Sequence, residues 1–158
     1  MKNLLKAIVV VFVLFSFSEA KAQISVGAGA VFGTEINNLG ISVHGKYQFT
    51  DEWSAAPSFT YFLKKDNLSW SSLDLDANYQ ISDEGLYLIG GLNMTFFSID
   101  TDGTFFDGAN LSGTDTGFNV GAGMNFEIGD GLTFAPEARY TLGGGNFLRI
   151  GLKIMIEI

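Results

Sequence analysis

The stretch SLDLDANYQISDEGLYL, residues 72–88, decides the fold. Its first ten residues alternate strictly: Leu73, Leu75, Ala77, Tyr79 and Ile81 are apolar, whereas Ser72, Asp74, Asp76, Asn78 and Gln80 are polar. Successive side chains of a strand point to opposite sides, so period two sorts these residues onto two different faces. Ser82-Asp83-Glu84-Gly85 then supplies turn formers and Leu86 opens another strand, which makes the segment a hairpin. Similar strings recur as YQFTDEW from Tyr47 and FEIGDGLTF from Phe126, with Asp51, Asp83 and Asp130 at equivalent places. Three hairpins with short turns of three or four residues are therefore predicted.

The alternation extends along the chain. In LGISVHGKYQF, residues 39–49, Leu39, Ile41, Val43, Tyr47 and Phe49 oppose Ser42, His44, Lys46 and Gln48. In GFNVGAGMNFEI, residues 117–128, Phe118, Val120, Ala122, Met124, Phe126 and Ile128 oppose Asn119, Asn125 and Glu127. The last strand sets Leu148, Ile150, Leu152, Ile154, Ile156 and Ile158 against Arg149, Gly151, Lys153, Met155 and Glu157. Four less regular strands fit near 24–33, 53–63, 86–98 and 132–142, giving eight. The connections opposite the short turns fall at 34–38, 64–69, 100–115 and 143–146. WSAAPSFTYFL (53–63) and LTFAPEARYTL (132–142) align without gaps, and the shared prolines Pro57 and Pro136 predict a repeated irregularity such as a bulge.

The N-terminal MKNLLKAIVVVFVLFSFSEAKAQ has the three parts of a secretory signal: Lys2 and Lys6, an apolar run over 7–17, and Ala20-Lys21-Ala22 as a small-x-small cleavage site. We expect residues 1–22 to be a cleaved signal peptide and 23–158 to be one domain. Removing 1–22 takes away three lysines and one glutamate, so the formal charge moves from −8 to −10. That acidity argues against nucleic acid, which needs a basic footprint. Cysteine is absent, which excludes disulfides and thiol chemistry.

An eight-stranded antiparallel sheet can close into an up-and-down barrel with no free edges. With the apolar face inward it would be a soluble, lipocalin-like carrier of a small apolar ligand. With that face outward it is a transmembrane β-barrel with a polar interior. Three features favour lipid. The apolar face carries no charge, as expected where Lys or Arg costs roughly 2–4 kcal/mol at the bilayer midplane. Tyr47, Phe49, Trp53, Tyr79, Phe126 and Phe134 gather beside the short turns, and Phe32, Tyr61, Phe96, Phe118 and Tyr140 nearer the other loops, as two aromatic girdles would. The polar face is built of Gly, Ser, Thr and Asn with few charges, unlike a water-facing surface at roughly 25–35% charged residues.

The mature chain resembles the small eight-stranded outer-membrane barrels, the outer-membrane protein β-barrel domain or porin family that includes outer membrane protein X and the transmembrane domain of outer membrane protein A. The signal ending AKAQ, the strand FAPEARY and a chain end inside a strand carry the resemblance. The resemblance also implies a signal for the barrel-assembly machinery in Arg149, Gly151, Ile154 and Ile156, although Ile158 stands where a terminal aromatic is commoner. It implies a Gram-negative outer membrane, with lipid and the assembly machinery as partners and both chain ends in the periplasm.

The chemistry such a barrel could perform is narrow. His44, the one histidine, faces the polar side, away from any lipid substrate, and a lone histidine makes no metal site. No cofactor is expected. The expected lumenal charges are Lys46, Arg139, Arg149 and Lys153 against Asp74, Asp76, Glu127, Glu137 and Glu157, with His44 among them. Near balance points to mutual neutralisation and a plugged lumen, because unpaired buried charge is expensive; the sharper alternative is a narrow channel for ions or small solutes. In the acidic loop, Asp100, Asp102, Phe105, Phe106 and Asp107 are candidates for contact with a surface partner, and its carboxylate spacing does not match an EF-hand. For the last hairpin, repulsion disfavours Arg139 opposite Arg149, so the predicted register puts Glu137 opposite Lys153. The expected protein is a non-enzymatic outer-membrane barrel with a structural or surface role; a lipid-modifying enzyme is the alternative of another class.

Overall fold

The computed structural model describes residues 23–65, 68–99, 111–143 and 145–158, and all of them belong to one antiparallel sheet or its turns. In chain order the strands are β1 (Gln23–Gly33), β2 (Asn38–Gln48), β3 (Trp53–Lys65), β4 (Leu68–Gln80), β5 (Leu86–Ile99), β6 (Leu111–Met124), β7 (Phe126–Gly129), β8 (Leu132–Leu142) and β9 (Phe147–Glu157). Within β1 to β6 each strand pairs with its sequence neighbours, β1 pairs with β9, and β8 pairs with β9 on one side and with both β6 and β7 on the other. The sheet therefore closes on itself as an eight-stranded up-and-down barrel in which β6 and β7 are two pieces of one stave. The expected signal peptide, 1–22, lies outside the described residues.

The break between β6 and β7 has a cause in the sequence. Pro136 of β8 lies opposite Met124–Asn125, and it has no amide hydrogen to give the ladder. Pairing lapses there and resumes at Phe126↔Phe134 in unchanged register. Pro57 does the same to β2: His44↔Ser58 and Tyr47↔Ala55 are paired, and Gly45 and Lys46 between them are not. The bulge expected at these prolines is thus absent, and two in-register gaps stand in its place. Asn125 donates its amide instead to the carbonyl of Gly85, 2.9 Å away, in the neighbouring turn.

The short turns span four (49–52), five (81–85) and two (130–131) residues, a wider spread than the three or four expected. Gly85 and Gly131 adopt positive φ, of 97° and 69°, which a side chain would disfavour. At the other end the strands outrun expectation: only 66–67 separate β3 from β4, and β6 already begins at Leu111. Asp115, read as part of the long loop, consequently lies within β6 opposite Thr95. Residues 23 and 158 sit together at the short-turn end, where Ile158 donates its amide to the carbonyl of Ile24 at 2.9 Å.

The faces are oriented as a membrane barrel requires. Ile41, Val43, Leu75, Leu92, Phe118, Ile150 and Leu152 are each more than half exposed on the outside. The buried side chains are instead polar: Ser58, Thr60, Ser72, Asp74, Asn93, Asn119, Arg139 and Arg149 among them. A water-soluble fold reverses this arrangement, so the lipocalin-like alternative is excluded by the burial pattern. The aromatic girdle beside the short turns includes Trp53 against Tyr79, with centroids 4.8 Å apart, and Phe126 against Phe134 at 6.4 Å. The interior is less uniformly polar than the alternation suggested. Tyr87, Ile89 and Met155 point inward, and Phe62 and Phe147 are buried toward the long-loop end of the lumen.

Candidate functional site

The β4 strand presents Ser72, Asp74 and Asp76 to the lumen, and β9 presents Arg149 and Lys153. In a ring of eight staves these two strands are diametrically opposed, four steps apart in either direction. Arg149 nevertheless reaches Asp74: Nη1 donates to Oδ2 at 2.7 Å and Nη2 to Oδ1 at 2.8 Å. This two-pronged pair spans the full width of the barrel. Planar guanidinium matches carboxylate in that geometry, and the bonds are stronger than neutral ones.

Most of the remaining capacity of both groups is taken up, Arg149 Nε being the exception. Asn93 and Asn119 donate to Asp74 Oδ1 at 2.7 and 2.8 Å, and Asn119 also donates to Asp76 Oδ1 at 2.9 Å. Arg149 donates further to Ser72 Oγ, Asn119 Oδ1 and Thr141 Oγ1, and its guanidinium lies 5.0 Å from the centroid of Phe147. Arg139 bridges the cluster, 3.3 Å from Asp74, 3.1 Å from Asp76 and 3.0 Å from Glu137. Glu137 also accepts from Lys153 and, at 2.7 Å, from the Tyr87 hydroxyl. Three cations thus meet three carboxylates in a water-poor interior, the arrangement under which buried charge is tolerable.

Close packing makes this possible. A Cβ at Gly123 would overlap the Tyr87 hydroxyl, and one at Gly91 would overlap Asp76 Oδ1. Two cavities adjoining the network measure about 20 Å³ each, room for a single water apiece. One is lined by His44, Glu137, Arg139 and Arg149. Toward the long-loop end Phe62, Trp70 and Phe147 follow, Trp70 meeting Phe147 edge-on at 6.0 Å.

The structure brings Asp74, Asp76, Glu137, Arg139, Arg149 and Lys153 together and leaves other anticipated members aside. Lys46, Glu127 and Glu157 line the wide mouth at the short-turn end, outside this ion-paired set. His44 faces the lumen with Nε2 2.8 Å from Ser42 Oγ. Gly151 lies inward beside Arg149, while Ile154 and Ile156 are exposed on the lipid side. Asp100, Asp102, Phe105, Phe106 and Asp107 lie outside the described residues.

The predicted β8–β9 register is corrected: Arg139 stands opposite Arg149, Glu137 opposite Gly151, and Ala135 opposite Lys153. Repulsion between the arginines is relieved from the far wall, where Asp74 lies within reach of both. Glu137 and Lys153 still touch, diagonally across the two strands. Asn93, Asn119, Tyr87, Ser58 and Thr141 belong to the network and were not anticipated, although strand alternation places each on the inward face.

A family model for the outer membrane protein beta-barrel domain matches residues 7–151. The chain belongs to this family. Solved barrels share its fold. The N-terminal β-barrel domain of Pseudomonas aeruginosa OprF is 18% identical, with 87% of this chain and 100% of that one covered at a TM-score of 0.61. Neisserial surface protein A is 14% identical, covering 88% and 98% at 0.65. A major outer membrane protein of Thermus thermophilus is 12% identical, covering 88% and 100% at 0.69. Among curated proteins no match was found.

Proposed function

We propose that this family member is a non-enzymatic barrel of the Gram-negative outer membrane whose lumen is plugged, and that it serves a structural or surface-interaction role. The observation that carries this reading is the Asp74–Arg149 pair across the diameter of the lumen, with Arg139, Asp76, Glu137 and Lys153 packed beside it. A conducting path needs a continuous polar passage that ions can enter and leave; here the polar groups are spent on one another, with water-sized spaces between them. A lipid-modifying role is disfavoured because His44 is turned inward onto Ser42 and away from lipid. Residues 1–22 act as the export signal, both chain ends lie in the periplasm, and Arg149, Gly151, Ile154 and Ile156 serve the barrel-assembly machinery. The 100–110 segment then faces the medium and meets any surface partner.

Planar-bilayer recording tests the plug. The unaltered protein should show no discrete openings, and Asp74→Ala should create small ones by leaving space and an unpaired guanidinium. Steady conductance from the unaltered barrel would overturn the reading in favour of a narrow channel. Unchanged lipid A mass spectra with and without expression are expected, and a new lipid A species would establish the enzymatic alternative.

A further inference from the structure

At the short-turn end the lumen widens into an open vestibule of about 640 Å³. Its wall carries Asp51, Asp83, Glu84, Glu127 and Glu157, against Lys46 as the one cationic side chain and, once 1–22 are removed, the α-ammonium of Gln23. The vestibule narrows to one of the water-sized cavities, with which it shares Lys46, Gln48, Asp51 and Gln80. Asn78 lines that floor; it is 7% exposed, and its Oδ1 is buried without a hydrogen-bond partner. A buried acceptor left unpaired is costly, so a donor must reach it, either the single water this cavity can hold or a group entering from the vestibule in its place. Gln48 and Gln80 prepare the same floor. Each donates its side-chain amide to a turn carbonyl, that of Asp51 and that of Ser82 respectively, which leaves Oε1 of each as an acceptor.

We propose that this vestibule binds a linear aliphatic polyamine, one terminal ammonium seated on Asn78 and the remaining charges facing the carboxylate wall. An ammonium has three donors and no acceptor, matching a floor of amide oxygens, and it is slender enough for the narrow end. The carboxylates are spread around the mouth, and among the described residues no three carboxylate or histidine groups converge closely enough to hold a metal ion. Spaced positive charges therefore fit better than a point charge. Lys46 and Lys153 also border the floor; Glu137 engages the Lys153 ammonium, and the five carboxylates of the vestibule wall outweigh Lys46.

Calorimetric titration of the mature protein, purified from membranes, tests the site with butylamine, 1,4-diaminobutane, spermidine and magnesium chloride at two salt concentrations. Affinity should rise through the amine series, with spermidine at least tenfold tighter than butylamine and weakened by salt, as screened charge requires. Asn78→Leu should weaken spermidine by about tenfold or more, the scale of a lost hydrogen bond to a charged group. Glu127→Gln combined with Glu157→Gln should lower both affinity and salt dependence. A flat amine series in the unaltered protein overturns the proposal whatever the variants do. So does displacement of spermidine by magnesium at equal charge, which would mark a diffuse acidic rim, or capture of a lysine-rich peptide with no affinity for spermidine. Asn78→Leu binding spermidine as the unaltered protein does would refute the floor as the seat.

Discussion

Replacing Asp74 by alanine should be among the most damaging single changes in this barrel. The carboxylate is fully buried and takes four short bonds, two from Arg149 and one each from Asn93 and Asn119. Without it, Arg139 keeps Asp76 and Glu137 within 3.1 Å. Arg149 keeps only neutral partners and the face of Phe147. The loss thus concentrates on one stranded guanidinium, and breaking a buried pair in this way costs about 3–5 kcal/mol. Arg149→Met should cost less, because Asp74 would still have Arg139 at 3.3 Å and two asparagine donors. The double variant removes both charges, so it should fall short of the summed single losses by about 2 kcal/mol or more. Reversible denaturant unfolding in lipid vesicles, followed by Trp53 and Trp70 fluorescence, measures all three. An Asp74→Ala loss below about 1 kcal/mol, or strict additivity in the double variant, would refute the idea that this pair carries the plug.

Orientation toward lipid is tested by cysteines at Leu75 and Val120, both on the exposed outer face. They should react with lipid-soluble reagents only, and fast labelling by a water-soluble maleimide in intact membranes would exclude a lipid-facing surface. Adjacent glycines in β5 should diverge. Gly91→Ala pushes a methyl into Asp76 and the backbone of Leu75, for a cost of about 1–3 kcal/mol, whereas Gly90 has nothing within 4 Å and should tolerate alanine within about 0.5 kcal/mol. Equal effects at the two sites in the same unfolding assay would show that the lumen is looser than its packing implies.

Much of the fold was legible because a two-residue period is a local property. Residues 72–81 declare both of their faces with no knowledge of the rest of the chain, and the repeated aspartates mark where the strand reverses. Once Leu86 and Leu88 are outward, Tyr87, Ile89, Gly91 and Asn93 must be inward, so the neutral members of the network were accessible to the same reasoning. Being uncharged, they carry no signal of their own that marks them as partners of the buried charges. The β8–β9 register failed for a different reason. Like charges opposite one another repel when only two strands are considered, but the carboxylate that reconciles Arg139 with Arg149 comes from β4, across the barrel. No pairwise rule between neighbouring strands contains that information.

That failure points to a division of labour between the two faces. The outer face is rich in Ile, Leu and Val at alternate positions, so a two-residue slip of β9 would trade one apolar residue for another at little cost in lipid. In-or-out is strongly specified there, and shear is not. The lumen supplies what the outside lacks. A two-residue slip moves a side chain by about 6.6–6.8 Å along the strand, enough to carry Arg149 out of reach of Asp74 and to leave its guanidinium buried without a carboxylate. The diametral pair also requires every intervening stave to be present, since β4 and β9 face each other only in the closed ring of eight. A buried ion pair adds little net stability over an apolar pair of equal volume, but it penalises wrong registers heavily. Here it discriminates the closed, correctly sheared barrel from neighbours that the lipid-facing surface alone would accept.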